Sequence, residues 1–394
     1  MKEPMNSKTV AEAPSVAQST RRSPVPFFDL KGQYAQIRDE VEAAVARVFT
    51  SQHFVYGPEV AQFEEEIAAY TGAEFAIGCA SGSDALLLAL MALGVGPGDE
   101  VITPPFTFVA TAGSVARLGA RPVFVDIDPV TFNLDPQKIE RAITPRTRAI
   151  LPVDLFGLIA DMEPIMEIAS RHGVAVIEDA AQSIGAKYRN RNAGALGPMG
   201  CFSFYPTKNL GGAGDGGLIT TDDPQLAYRI KLLHEHGSPR RYEYEIVGMN
   251  SRLDALQAAV LRVKLRRLEE WTEARIAHAR RYEKLFAQSA CKDRVTVPQT
   301  PAESRHVYNQ YVVRAQQRDQ LRQHLQQAGI GSEIYYPYPL HLQPAFAGLG
   351  HKAGDFPETE HACAEVLALP IYAEVTAEQQ ETVVGAIADF YGTV

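Results

Sequence analysis

The sequence predicts an α/β fold, a mostly parallel sheet with helices on both faces, followed by a smaller C-terminal α+β unit. Three observations carry this expectation. Short apolar segments alternate with helical ones from Phe27 onward, as crossover connections between parallel strands require. The texture changes after Asn250, where a long stretch without Gly or Pro mixes both charge signs along a helical period. The 394 residues, 46% hydrophobic and 22% charged, can form two domains with a sizeable core and exclude wholesale disorder.

The expected strands are short and apolar on both sides, as strands buried on both faces are. They are Phe75 to Cys79, Glu100 to Thr103, Pro122 to Val125, Thr147 to Val153, Val174 to Ile177, Gly200 to Phe204 and Gly217 to Thr220. Between them lie helical stretches at Ser83 to Leu93, Phe108 to Leu118, Pro136 to Ala142 and Asp161 to Arg171. Ala255 to about Ala287 reads as one long helix. Beyond it come a strand at Tyr308 to Val313, helices at Asp319 to Ala328 and Thr376 to Tyr391, and a Pro/aromatic loop from Tyr335 to Pro344. The expected organisation is a flexible tail over 1–26, a large domain over 27–262, and a connecting helix with a small domain over 263–394.

A net charge of −9 argues against a surface built to neutralise nucleic acid, while leaving room for a local pocket for one anion. Cys79, Cys201, Cys291 and Cys363 are scattered without a CxxC pair, which fits neither a zinc cluster nor a disulfide framework and favours a reducing cytoplasm. The apolar run Ala85 to Leu93 falls far short of the roughly 18 residues of a membrane span. The N-terminal segment is polar and Ala/Ser/Pro-rich without an apolar h-region, so no export is expected.

Four segments invite chemistry. Ala80-Ser-Gly-Ser-Asp84 is a polar turn between a buried strand and a helix, an anion site if its N–H groups are open and an ordinary N-cap at Ser83 or Asp84 if not. Glu178-Asp179 closes a buried strand where α/β folds place ligands, and a buried carboxylate there invites a cation such as a protonated heterocyclic nitrogen. Asp126 ends a similar strand, and spacing alone does not separate the two. Lys208 follows an aromatic-rich strand and precedes a glycine cluster; a buried lysine loses its proton readily and forms Schiff bases, whereas a loop lysine is ordinarily a solvated charge. Two patterns are decoys. Gly212-Ala-Gly-Asp-Gly-Gly217 has dinucleotide-site spacing but runs into a strand instead of opening a helix. His234 and His236 lack the i, i+4 spacing and third ligand of a zinc site, so no metal is expected.

Taken together and in order, FFDLKGQY, GPEVAQFEEEIAAY, SGSDALLLAL, GDEVITPPFTFVATA, EDAAQSIGA, GCFSFYPTKNLGGAGDGG, VGMNSRLDALQAAVLRVKL and YYPYPLHLQPAF resemble the DegT/DnrJ/EryC1/StrS family of pyridoxal phosphate-dependent sugar nucleotide aminotransferases. The likeness runs from Phe27 to the C-terminus. It implies a fold type I, aspartate aminotransferase-like architecture, a homodimer with shared active sites, and pyridoxal 5'-phosphate linked to Lys208. It further implies that Asp179 pairs with the pyridinium nitrogen, Gln182 donates to the phenolate oxygen and Phe108 stacks on the ring. Gly82, Ser83 and Ser203 then hold the phosphate, with Asn250 reaching it from the neighbouring subunit.

The resemblance also implies a ping-pong transfer from an amino acid, L-glutamate, to a nucleotide-linked keto sugar, with Lys208 as proton shuttle. Members that dehydrate sugars carry histidine at the Lys208 position. Arg241, Arg252, Tyr336 and His341 are the candidates for the sugar nucleotide, against surface charge and loop packing as alternatives. The run Asn250-Ser-Arg-Leu-Asp254 is similar to members acting at C3. A C4-specific enzyme and an enzyme of non-nucleotide ketosugars or cyclitols are the alternatives, and a non-catalytic regulatory protein on the same scaffold is the third. Asp154 and Phe156 depart from the family, standing where relatives often show His and Tyr.

Overall fold

The computed structural model describes residues 24–392, so most of the expected tail lies outside the described residues. Its strands are β1 (Phe75–Cys79), β2 (Glu100–Thr103), β3 (Arg121–Phe124), β4 (Thr147–Ile150), β5 (Ala175–Asp179), β6 (Lys187–Tyr188), β7 (Arg191–Asn192), β8 (Met199–Ser203), β9 (Gly217–Thr221), β10 (Val295–Thr296), β11 (Ser304–Arg305), β12 (Tyr311–Ala315) and β13 (Val366–Leu369). Seven of them form the central sheet in the order β1-β9-β8-β5-β4-β2-β3. Only β9 runs against its neighbours, so β1, β8, β5, β4, β2 and β3 all point their C-terminal ends at one edge. That edge is where α/β sheets bind ligands.

The sheet is buried on both faces. Leu86, Leu88, Val115, Ile177 and Ile219 share one cluster, while Phe63, Ile102, Val176, Phe202, Leu218 and Ala258 share the other. The helix Gly82–Ala92 is apolar all round and buried at eight positions, which is why it reads as an unbroken apolar run. Two helices that the sequence reading passed over, Leu30–Ser51 and Pro58–Thr71, pack on Ala255–Leu265 across the second face.

The long helix expected from Ala255 is two helices, Ala255–Leu265 and Leu268–Gln288, broken at Arg266-Arg267. The first buries its apolar stripe on the large core, whereas Tyr282 and Phe286 of the second belong to the core of the small unit. One straight stripe cannot serve both cores. The arginines at the break both pair with Glu40 and carry no apolar demand of their own.

The small unit has a three-stranded antiparallel sheet, β10-β12-β13, covered by Arg318–Gln327, on which Ala377–Gly392 packs. Val25, assigned by the sequence to a loose tail, is 1% exposed in its core. It exchanges backbone hydrogen bonds with Gly329 (3.0 Å) and Gly331 (2.9 Å). Burial of one apolar side chain and two backbone bonds ties this segment to the small unit rather than to the large one.

Asp126 serves the junction between the units. Its carboxylate accepts from the N–H of Glu358 and of Thr359 (3.0 Å each) and from the Thr359 hydroxyl (2.8 Å), so it caps the helix Pro357–Glu365 from more than two hundred residues away. Asp126→Ala is expected to lower stability by roughly 1–3 kcal/mol, the usual consequence of stranding buried donors, read as a fall in Tm. Cofactor loading of the folded variant should be unchanged; loss of the cofactor would place Asp126 at the active site instead.

Candidate active site

The site assembles at the common C-terminal edge. β1 leads through Ser81 into the helix Gly82–Ala92, whose N-cap is Ser81 rather than the expected Ser83 or Asp84: its hydroxyl accepts from the Asp84 N–H at 3.1 Å. The N–H groups of Gly82 and Ser83 therefore stand ahead of the first helical hydrogen bond, at the positive end of an apolar helix. Ser203, the last residue of β8, lies against Gly82 so closely that a Cβ there would come within 2.6 Å of the Ser203 Cβ. Glycine at 82 is thus a requirement of close approach. Gly82, Ser83 and Ser203 line one helix end, the kind of place that can hold a phosphate.

Asp179 ends β5 nearby, 4% exposed. Its Oδ2 accepts from the Thr111 hydroxyl at 2.8 Å, which is in turn 2.9 Å from the Thr107 hydroxyl, and its Oδ1 accepts from the Ala181 N–H at 3.3 Å. Burial pushes the Asp179 carboxyl above the usual carboxylate range, against the pull of those donors and of the Lys208 charge. A carboxylate so placed gains most from a cation brought to it. The two threonines were not singled out in the sequence. Their spacing of four residues across the start of the helix Val109–Arg117 is the signal that could have revealed them.

Lys208 sits in the loop between β8 and β9, half-buried, with its N–H bonded to the Tyr205 carbonyl at 2.9 Å. Burial lowers its ammonium to about 8, and the Asp179 charge opposes this. The loop is held from behind by the helix Ala255–Leu265. Gln257 accepts from the Ala213 N–H at 2.8 Å and Lys264 donates to the Gly211 carbonyl at 2.7 Å. In the cofactor-free protein the rate of pyridoxal phosphate capture is expected to rise through a midpoint near 8, because only the neutral amine attacks an aldehyde. Asp179→Asn should move that midpoint down, since the carboxylate favours the charged amine. Rapid-mixing absorbance against pH reads both; a midpoint near the ordinary lysine value of 10.5 contradicts the burial.

Gln182, 8% exposed, accepts at Oε1 from the Phe156 N–H (2.7 Å), which leaves its Nε2 directed at the Tyr336 hydroxyl (3.3 Å). Phe108, at the start of the helix Val109–Arg117, keeps 55% of its surface exposed with its ring centroid 6.3 Å from that of Tyr336. The structure therefore brings Asp179, Gln182, Phe108 and Tyr336 together beside Lys208.

The remaining candidates stand apart. His341 is a correction: its side chain is fully buried, bonded through Nε2 to Glu360 (3.1 Å) and packed edge-on against Phe356. Phe356 belongs to a satellite core with Phe124 and Phe346, and burial against it removes His341 from any substrate. Arg252 is committed to Glu235 at 3.0 Å and lies over the Tyr56 ring. Arg241 is exposed and stacked on Tyr242. Asn250 is exposed too, while its neighbour Ser251, which sequence reasoning missed, donates to Asp84 (2.8 Å) and accepts from the Ala80 N–H (3.2 Å). His234 is buried against the Gly78 carbonyl (3.3 Å), and burial lowers its imidazolium to about 4.

The donor set fits pyridoxal phosphate in each part: a phosphate cradle that a Cβ would close, a buried carboxylate awaiting a cation, an amide donor, an uncovered aromatic face and an amine of lowered basicity. On a sheet of this topology they define a fold type I pyridoxal phosphate enzyme, an aminotransferase. The chain belongs to the DegT/DnrJ/EryC1/StrS aminotransferase family, whose model matches residues 35–388. Pyridoxal phosphate is the cofactor of this class, and solved members hold it or its amine form.

Among relatives, a protein of Geobacillus stearothermophilus named a pleiotropic regulatory protein is 52% identical, over 93% of this chain and 98% of its own. The UDP-2-acetamido-2-deoxy-3-oxo-D-glucuronate aminotransferase of Pseudomonas aeruginosa is 47% identical over 88% and 95%. The crystal structure of S. venezuelae DesV in complex with a ketimine intermediate superposes with a TM-score of 0.91 at 45% identity, covering 95% of this chain and all of that one.

Proposed function

We propose that this enzyme moves an amino group from L-glutamate to C3 of a nucleotide-linked keto sugar, acting in the cytoplasm as a homodimer with shared active sites. The observation that carries the reading is the meeting of Lys208 and Asp179 at one sheet edge, with a phosphate cradle beside them. C3 is supported by the run Asn250-Ser-Arg-Leu-Asp254 and by the 3-oxo substrate in the name of the Pseudomonas relative.

The residues divide the work. Gly82, Ser83 and Ser203 bind the phosphate through N–H groups and hydroxyls. Asp179 holds the proton on the heterocyclic nitrogen, and Thr111 fixes its carboxylate in place. Phe108 and Tyr336 cover the ring and exclude water, while Gln182 offers its amide N–H. Pyridoxal phosphate, when bound, supplies an electron sink that acidifies the donor's α-carbon. Lys208 would take the proton from that carbon and deliver it to the cofactor's C4′ carbon, as general base and then acid.

The regulatory name of the Geobacillus relative favours a second reading, a scaffold retained without catalysis. Against it stands the intact set of Lys208, Asp179 and Gln182, which no regulatory role requires. Support for a dimer comes from Tyr242, Tyr244 and Val247, exposed at 75%, 65% and 90% beside Asn250. Three large apolar side chains so exposed within six residues are a surface that a second copy could cover. In such a dimer Arg241, in the same segment, would serve the partner's sugar nucleotide.

The test is the visible spectrum of the cofactor-loaded protein before and after L-glutamate, without any sugar. Conversion to the pyridoxamine form establishes the first half-reaction; an unchanged spectrum rejects glutamate. Return of the original spectrum with a 3-keto but not a 4-keto sugar nucleotide establishes the acceptor, and the opposite preference overturns C3. If no amino donor converts the cofactor, the regulatory reading stands.

A further inference from the structure

Asp154, the departure noted in the sequence, is 0% exposed and lies beside two other enclosed carboxylates, Glu178 (0%) and Asp179 (4%). Among the described residues no cation is paired with it. Its Oδ1 accepts from the Ala160 N–H (3.0 Å) and its Oδ2 lies 3.0 Å from the Ser183 hydroxyl. The same hydroxyl lies 3.3 Å from the Ala180 carbonyl. A serine has one hydrogen to give. Either it goes to Asp154, the shorter contact, or it joins the Ser183 N–H (3.1 Å) on the Ala180 carbonyl, and Asp154 must then donate to Ser183. Glu178, by contrast, accepts from three backbone N–H groups, those of Gly194 (2.9 Å), Leu196 (2.8 Å) and Gly197 (2.6 Å), and is the better place for a charge. Burial and the Glu178 charge both push the Asp154 carboxyl well above the ordinary range.

Asp154 also opens the loop that orients Gln182. Phe156, two residues on, adopts the left-handed region at φ 60°, uncommon for a bulky side chain, and so presents its N–H to Gln182 Oε1. The Asp154 N–H donates to the Asp179 carbonyl at 3.0 Å. The two chain segments are therefore joined by four hydrogen bonds: Asp154 N–H to the Asp179 carbonyl, Asp179 N–H to the Pro152 carbonyl (2.9 Å), Asp154 to Ser183, and Phe156 to Gln182.

We propose that Asp154 is a positioning residue: as a neutral carboxylic acid it donates to Ser183 and locks the turn carrying Asp179 and Gln182 against the loop whose Phe156 N–H aims the Gln182 amide. The proposal rests on the assignment of Asp179 and Gln182 to the cofactor. An asparagine can make the same bonds, accepting from Ala160 and donating to Ser183, and leaves the count of charges unchanged.

Asp154→Asn is expected to keep kcat for the glutamate half-reaction within about threefold, because no hydrogen bond is lost. Asp154→Ala should lower kcat about tenfold or more at nearly constant KM, as misplaced catalytic groups do, and shift the pH midpoint of the cofactor's absorbance. The infrared difference between the cofactor-free wild type and Asp154→Asn at neutral pH should show the C=O stretch of a protonated carboxyl. Absence of that band, or an Asp154→Asn as damaged as Asp154→Ala, overturns the neutral acid. A folded Asp154→Ala with unaltered kcat and spectrum overturns the positioning role. Should Asp154→Ala fail to fold, Ser183→Ala takes its place, with the same shift expected and an unaltered spectrum overturning the proposal. The infrared readout needs neither cofactor nor substrate, so an error in the proposed donor or acceptor leaves it intact.

Discussion

Lys208→Ala should abolish the cofactor's link to the protein and lower turnover by about 10⁴-fold or more, at or beyond the upper end of what one general acid–base group contributes. Two losses combine. The amine that captures the aldehyde is gone, and so is the group that carries the proton between the donor's α-carbon and the cofactor. Lys208→Arg sharpens the test, because a guanidinium keeps the positive charge beside Asp179 but does not lose its proton. It should be as inactive as alanine while leaving the fold and the cofactor's phosphate contacts intact. The measurement is single-turnover absorbance with L-glutamate on cofactor-saturated protein, with circular dichroism to confirm folding. Turnover retained by either variant would remove Lys208 from the mechanism.

Asp179→Asn is expected to lower kcat by roughly 10²–10³-fold, the size of effect seen when one preorganised electrostatic partner is removed. The amide preserves shape and can still accept from Thr111, but it does not hold a proton on the ring nitrogen, so the cofactor loses most of its power as an electron sink. Thr111→Val deletes only the 2.8 Å hydrogen bond to that carboxylate. At about 1.5–3 kcal/mol for a bond to a charged group, it should cause a milder loss. Steady-state kinetics should therefore rank wild type, Thr111→Val, Asp179→Asn and Lys208→Ala in falling order. An Asp179→Asn enzyme within a few fold of wild type would show that Asp179 is structural, as Asp126 is.

That comparison shows how much of the site was legible. Asp126 and Asp179 look alike in sequence, each an acid closing an apolar strand. What separates them is the arrival of the helix Pro357–Glu365 over Asp126, which saturates its oxygens with donors, and of Lys208 near Asp179. His341 failed for a related reason. An aromatic loop gives no sign of which side chains turn inward, and His341 turned into a phenylalanine cluster. The long helix failed because helical period persists through Arg266-Arg267 while the cores it must serve do not align.

By itself the sequence determined the alternation of strands and helices, because buried strands leave apolar segments that periodicity exposes. It likewise determined Lys208 and the ordered motif set, because those are local words in a long sentence. Only the tertiary structure decided which carboxylate meets which donors, which arginine is already paired, and that Asp154, Ser183, Phe156 and Gln182 form one brace. Charge state and hydrogen-bond supply depend on neighbours brought from distant parts of the chain, and no linear spacing encodes them.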